Sequence, residues 1–308
     1  MTRTMLSRRH LLQMSAVGLI EVALPRVSFA ARGVQARRII TIGADITEIF
    51  ALLDGLGRLV GIDNGSNRPV DVAKVKSVGF FRSLSAEGII ALRPDIIIAT
   101  DMFGPPTAVA QLAAAGVRIE TLREPETIEG IRAKIGRIAA LIAREHEGKA
   151  LIGRVDAAFG DLSRRLSGIS RRPKVLVTVA FSNGTVHAAG NIPSMNAAIA
   201  LAGGENAGIA WNTVKPISGE VLTATPPALF LITPEIWARA GGAEGFLKMV
   251  NLQGNPEITP EHVMPIDAGP FFLFGPSTPE IARDIAARLH PERFNAAVEK
   301  GDADYRTE

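Results

Sequence analysis

Ser85-Ala86-Glu87-Gly88-Ile89-Ile90-Ala91-Leu92-Arg93-Pro94-Asp95-Ile96-Ile97-Ile98-Ala99-Thr100 decides the fold class. Ser85 is a cap-type residue, Glu87 suits the first turn of a helix, and Pro94 forbids the helix from continuing. Asp95–Thr100 then reads as an unbroken apolar strand of the kind buried on both faces in a parallel sheet. The same unit returns without a gap as Ser218-Gly219-Glu220-Val221-Leu222-Thr223-Ala224-Thr225-Pro226-Pro227-Ala228-Leu229-Phe230-Leu231-Ile232-Thr233. The two copies coincide at Ser, Glu, Pro and the closing Thr. A helix–Pro–buried-strand unit used twice predicts two similar α/β lobes.

Upstream, Ile39-Ile40-Thr41-Ile42-Gly43 is a short β-branched strand. Asp45 and Thr47 are cap-type residues, and Ile49, Phe50, Leu52, Leu53 and Leu56 recur at helical spacing. Arg58–Asp63 is a second strand. Thr107–Ala115 is a helix ended by Gly116, and Val117–Leu122 a further strand. From Thr127 to about Ser167 the pattern is helical, with a break expected near Glu147-Gly148. Arg132, Lys134, Arg137, Arg144, Lys149, Arg154, Arg164 and Arg165 are read as its solvated face. At 1.5 Å per residue such a helix spans about 30 Å in 20 residues, enough to bridge two lobes. After Pro173 the alternation restarts with strand Val175–Val179 and helix Ser194–Leu201. The expected division is an export signal at 1–30, an N-terminal lobe at 31–143, a bridging helix at 144–170, a C-terminal lobe at 171–296 and a tail at 297–308.

The chain has 308 residues, 47% apolar and 21% charged, with mean hydropathy +0.20. That is a core-rich folded protein. Ser7-Arg8-Arg9-His10-Leu11-Leu12-Gln13, the weakly apolar Met14–Leu24 and Ser28-Phe29-Ala30 read as a twin-arginine export signal, which places the mature chain in a bacterial periplasm. The net charge of +3 comes from 34 basic and 31 acidic residues; residues 1–30 hold four Arg and one Glu, so 34 − 4 = 30 against 31 − 1 = 30 remain. A neutral mature chain with one Tyr and two Trp is not expected to bind nucleic acid. Cysteine is absent, which excludes disulfides, thiolate sites and a lipid-modified cysteine.

Catalytic patterns are missing. The glycine pattern of a dinucleotide site fails after Gly43, and no phosphate loop or nucleophile elbow occurs. His146, His187, His262 and His290 share no zinc-type spacing, which argues against a binder of bare metal ions. Asp45 reads as a helix cap more readily than as half of a catalytic pair with Glu48. A binding protein, not an enzyme, is expected. The competing class is a secreted α/β enzyme using Asp45, Glu48 or Asp101.

Five segments carry a resemblance: Ile42-Gly43-Ala44-Asp45-Ile46-Thr47-Glu48-Ile49, Val78-Gly79-Phe80-Phe81-Arg82-Ser83-Leu84-Ser85-Ala86-Glu87-Gly88, Ala200–Ala207, Lys215-Pro216-Ile217-Ser218-Gly219-Glu220, and Phe274-Gly275-Pro276-Ser277-Thr278-Pro279-Glu280. With these the chain resembles the periplasmic substrate-binding proteins of ABC importers for iron complexes and cobalamin, in particular their heme-binding branch. The resemblance implies an α/β fold of two Rossmann-like lobes joined by a long rigid helix, with the ligand cleft between them. It implies capture of heme (hemin) and delivery to an ABC permease dimer in the inner membrane, onto which Glu87 and Glu220 dock. No resident cofactor is implied; heme or a ferric chelate is the transported ligand, and the binding protein is expected to be a monomer. Heme binders of this family usually place an iron-ligating Tyr where this chain has Phe80, and a second Tyr often found before the Lys-Pro of the second lobe is Val214 here. Three outcomes are left open. His187 or Met195 ligates the iron; or Phe80, Phe81 and Trp211 stack on the porphyrin while Arg82 pairs with a propionate, with Lys215 in the same ligand-binding set; or the ligand is a ferric siderophore bound without a protein–metal bond.

Overall fold

Short β-branched runs build the first sheet: β1 (Ile39–Ile42), β2 (Leu59–Ile62), β3 (Ile96–Thr100) and β4 (Arg118–Leu122) pair in parallel in the order β2-β1-β3-β4. Every residue of β1 and β3 is buried, as strands covered on both faces require. The crossovers are α1 (Ala44–Asp54), α2 (Ala86–Ile90) and α3 (Pro106–Ala114). From β1 the chain passes to β2 on one side, and from β3 to β4 on the other. The winding therefore reverses between β1 and β3, which opens a crevice at their carboxyl ends. This computed structural model describes residues 36–294 apart from 55, 124, 225, 253 and 254. The expected signal at 1–30 and the tail at 297–308, with Tyr305, lie outside the described residues.

Next come α4 (Ile128–Ile142) and α5 (Glu145–Arg165). The helical break falls at Ala143, in the left-handed region with φ 56°, and not at Glu147-Gly148 as the sequence suggests. Gly148 lies inside α5 for a different reason. A Cβ there would stand 2.6 Å from the Ala139 Cβ, so the glycine lets α4 and α5 touch. Most of the expected basic face is paired near solvent: Arg132 with Asp156 at 2.8 Å, Arg137 with Glu120, Arg144 with Asp54 at 3.0 Å, and Arg164 and Arg165 with Asp161 at 3.2 and 2.7 Å. Lys134 departs from that expectation, because it is buried.

The second sheet comprises β5 (Lys174–Ser182), β6 (Thr185–Ala188), β7 (Glu205–Asn206), β8 (Lys215–Pro216), β9 (Leu229–Ile232) and β10 (Val263–Pro265). Its order is β10-β9-β5-β6-β8, with β7 on the start of β5. The β10, β9, β5 and β7 pairings are parallel, while β6 and β8 run antiparallel. β5 runs past the predicted Val179 into a hairpin at Asn183-Gly184, both at positive φ, 50° and 76°. Helices α6 (Pro193–Leu201), α7 (Gly219–Ala224), α8 (Pro234–Ala240), α9 (Ala243–Met249), α10 (Ala268–Phe272) and α11 (Thr278–Leu289) complete the lobe. The sequence repeat is a structural one: α2 leads into β3 and α7 into β9, and both strands are wholly buried with partners on two sides.

α5 joins the lobes, burying Gly148, Leu151, Val155, Phe159 and Leu162 against α4, α1 and α11. One core cluster runs from Ile39 and Phe50 through Ile135 and Phe159 to Val175 and Ile285, so both sheets share it. Among the described residues no helix is long and apolar enough to cross a membrane.

Two glycines of α5 test this packing. Gly148→Ala forces α4 and α5 apart and is expected to cost about 1–3 kcal/mol. Gly153→Ala, at a site with nothing within 4 Å of the new Cβ, should gain about 0.5–1 kcal/mol from the lower unfolded-state entropy. Urea unfolding of both variants checks the opposite signs.

Candidate functional site

The crevice at the carboxyl ends of β1, β3 and β4 is a cleft of about 550 Å³. Its wall includes Asp45, Thr100, Met102, Arg123, Lys134 and Phe274. Lys134 forms an ion pair with Asp45 and donates to the Phe274 carbonyl at 2.9 Å. It sits on the buried stripe of α4, between Ile131 and Ile138, and so reaches inward. Asp45 is 3% exposed, and its Oδ1 has no hydrogen-bond partner. It is thus the buried partner of a lysine, beyond its position in the first turn of α1. Asp101 pairs with Arg123 at 3.0 Å.

Phe80, Phe81 and Arg82 stand together on the first lobe. The Phe80 and Phe81 rings are 4.7 Å apart at 60°, and the Arg82 guanidinium lies 5.1 Å from the Phe81 centroid. Phe80 is 46% exposed, unusual for so large an apolar ring. The loop is tied to the segment after β3: the Gly104 N–H donates to the Phe81 carbonyl at 2.8 Å and the Leu84 N–H to the Gly104 carbonyl at 2.9 Å. This brings Met102 to Arg82, with 3.5 Å between Sδ and Nη2. Sequence reasoning missed Met102. The available signal was a methionine just past a buried strand, where the chain leaves the sheet.

Trp211, Lys215 and His187 gather on the second lobe. The Lys215 ammonium is 5.8 Å from the Trp211 ring. His187 faces Pro216 across the β6–β8 pair, with Nδ1 3.2 Å from the Thr185 carbonyl oxygen. Gly190 permits this arrangement, because a Cβ would meet the Trp211 and Thr213 carbonyls at 2.3 and 2.5 Å. Asn206 holds it from beneath, donating to the Gly190 carbonyl at 2.9 Å. Met195 does not join them. It is fully buried on α6 in the main core, so its thioether packs against apolar neighbours and cannot reach a ligand in a cleft.

Glu87 is exposed on α2, whose Ser85 cap accepts the Gly88 N–H at 3.3 Å. Glu220 lies on α7, the matching helix of the second lobe. Asp45, Glu48 and Asp101 do not converge. Asp45 and Asp101 line the cleft, whereas Glu48 borders a separate groove with Arg68 and Asp267. Among the described residues no group of three His, Cys, Asp or Glu side chains could hold a metal.

Glu48 belongs to a polar seam between the α1 region and the segment around α10 and the start of α11. It accepts a hydrogen bond from the Ser277 hydroxyl. Beside it the Arg68 Nε donates to Asp267 at 2.6 Å, and the Asn67 amide to the same carboxylate at 3.1 Å. Gly275, in the connection between α10 and α11, lets that connection approach α1 closely, since a Cβ would fall 3.1 Å from the Asp45 Cβ. Burial pushes the Glu48 carboxyl up from 4.5 to about 7, against the Ser277 hydrogen bond, which favours the charged form. The folded state therefore holds this proton more tightly than the unfolded chain. Stability from this group is greatest below about pH 4.5, falls by about 3 kcal/mol as pH rises to about 7, and then levels off. Glu48→Gln is expected to lack that decline and to be more stable than the parent above pH 7, as denaturant unfolding across pH would read.

Residues 39–258 match the family model described as periplasmic binding protein. A periplasmic heme-binding protein, RhuT of Roseiflexus sp. RS-1 in apo form, superposes with TM-score 0.75 at 28% identity, covering 84% of this chain and 99% of its own. Periplasmic heme-binding protein BhuT, in complex with two hemes, does so with TM-score 0.73 at 32% identity, covering 83% and 98%. Among curated relatives, the uncharacterized ABC transporter substrate-binding lipoprotein YvrC of Bacillus subtilis is 22% identical over 84% of this chain and 82% of its own. A vitamin B12-binding protein of Photorhabdus laumondii is 27% identical over 45% of this chain and 50% of its own.

Proposed function

This chain belongs to the periplasmic binding protein family, and we propose that it captures heme in the periplasm and delivers it to an ABC permease for iron uptake. As a member of this family it binds a solute for transport and is not an enzyme; substrate-binding proteins of ABC importers work with a membrane permease. One observation carries the heme reading: the likeness to heme-binding BhuT extends over nearly all of that protein at 32% identity. The aromatic and cationic groups of the two lobes support it. Phe80, Phe81 and Trp211 offer flat apolar faces, and Arg82 and Lys215 offer cations for the propionates of an anionic, planar ligand. His187 serves as a second-lobe donor to the iron. Glu87 and Glu220, one on each copy of the repeated helix, dock onto the two halves of the permease by charge-assisted contacts.

A second reading keeps the family and changes the ligand. Phe80 in place of the usual tyrosine favours a ferric siderophore, and the vitamin B12-binding relative favours a corrinoid.

Titrating the purified protein with hemin should shift the Soret band to a fixed stoichiometry. Arg82→Ala should weaken hemin binding by about tenfold through loss of a propionate contact. No Soret shift, with tight binding of a ferric siderophore or cobalamin instead, rejects heme. The docking claim has its own test. The double variant Glu87→Ala, Glu220→Ala should abolish heme-dependent uptake and leave ligand affinity intact; normal uptake rejects docking.

A further inference from the structure

We propose that Met102 supplies the first lobe's iron ligand, its thioether sulfur taking the place of a phenolate. The inference rests on the heme reading above. Folding normally buries methionine, yet Met102 is 44% exposed at the carboxyl end of β3, where it lines the cleft. The loop that carries it is not free to swing, because backbone hydrogen bonds tie it to the Phe80–Leu84 loop. Its sulfur is 3.5 Å from Arg82 Nη2, and Arg82 in turn lies over Phe81, which packs on Phe80. The thioether thus stands on the same wall as the phenyl ring that replaces the expected tyrosine.

Elimination points the same way. From residue 36 to 143 the sequence contains no His, Cys or Tyr, and Met102 is its one Met. On the second lobe Met195 is buried in the core, and the buried His290 has its Nε2 3.2 Å from the Gly203 carbonyl. A thioether sulfur is a weak acceptor, so the Arg82 contact is easily exchanged for a bond in which the sulfur lone pair is donated to iron. Arg82 keeps its remaining N–H groups for a propionate. Sulfur is a soft donor, and thioether ligation raises the reduction potential of heme iron. The site should therefore hold ferrous heme more tightly than a phenolate site would.

The test uses the purified protein with hemin, before and after reduction, in three forms: parent, Met102→Leu and Met102→His. Met102→Leu conserves shape at an exposed position, and circular dichroism confirms its folding. The parent ferric complex should show the long-wavelength charge-transfer band of a thioether–iron bond. Met102→Leu should lose that band, bind reduced heme about tenfold more weakly and have a lower reduction potential. Met102→His should restore a two-ligand low-spin spectrum without the band. A Met102→Leu complex with the parent spectrum and potential overturns the assignment of Met102 and leaves heme binding standing. Failure of the parent to bind either oxidation state overturns the heme reading, and this ligand with it.

Discussion

The ion pair between Lys134 and Asp45, completed by the Phe274 carbonyl, ties together three segments that meet nowhere else in sequence. Lys134 comes from the buried stripe of α4, which packs on α1 and α5, Asp45 from the first turn of α1, and Phe274 from the segment between α10 and α11. Both charges are buried, so neither tolerates loss of the other; stranding one typically costs about 3–5 kcal/mol. The cleft floor is therefore set by a charge-balanced contact and not by apolar packing, which would accept sliding more readily. The Glu48–Ser277 and Arg68–Asp267 contacts extend the same seam, and Gly275 gives it the room to close.

That seam and helix α5 have a common consequence. The apolar core passes through α4 and α5 from one sheet to the other beside the polar seam, so both sheets share one core. The two lobes carry side-chain groups that differ in kind. The first lobe presents paired phenylalanines, an arginine and a thioether; the second presents an indole, a lysine and an imidazole.

Much of the fold was legible because its determinants are local. The apolar runs at Ile96–Thr100 and Leu229–Ile232, each preceded by a proline-ended helix, announce two equivalent lobes without any knowledge of distant contacts. Sequence reasoning missed the β5–β6 hairpin, although Asn183-Gly184 is a dipeptide suited to positive φ. Lys134 was misread from its company of arginines, although its spacing from Ile131 and Ile138 already put it on the buried stripe. Gly148 was misread as a helix breaker because a glycine needed for close helix contact looks the same in sequence as one that ends a helix. Met195 and Met102 show the limit most clearly. Both are apolar residues in α/β units, and nothing local says that one is wholly buried while the other is 44% exposed.

The sequence by itself determined the two α/β lobes, the long helical connection, the exposed Glu87 at the start of α2 and the absence of a first-lobe tyrosine, because each depends on residues within a turn or a strand of one another. Tertiary structure alone decided the seam and the cleft. Lys134 reaches Asp45 across 89 positions and Ser277 reaches Glu48 across 229. Which buried charge finds its partner, and which methionine faces the cleft, follows from how the lobes close on each other, and no periodicity along the chain encodes that.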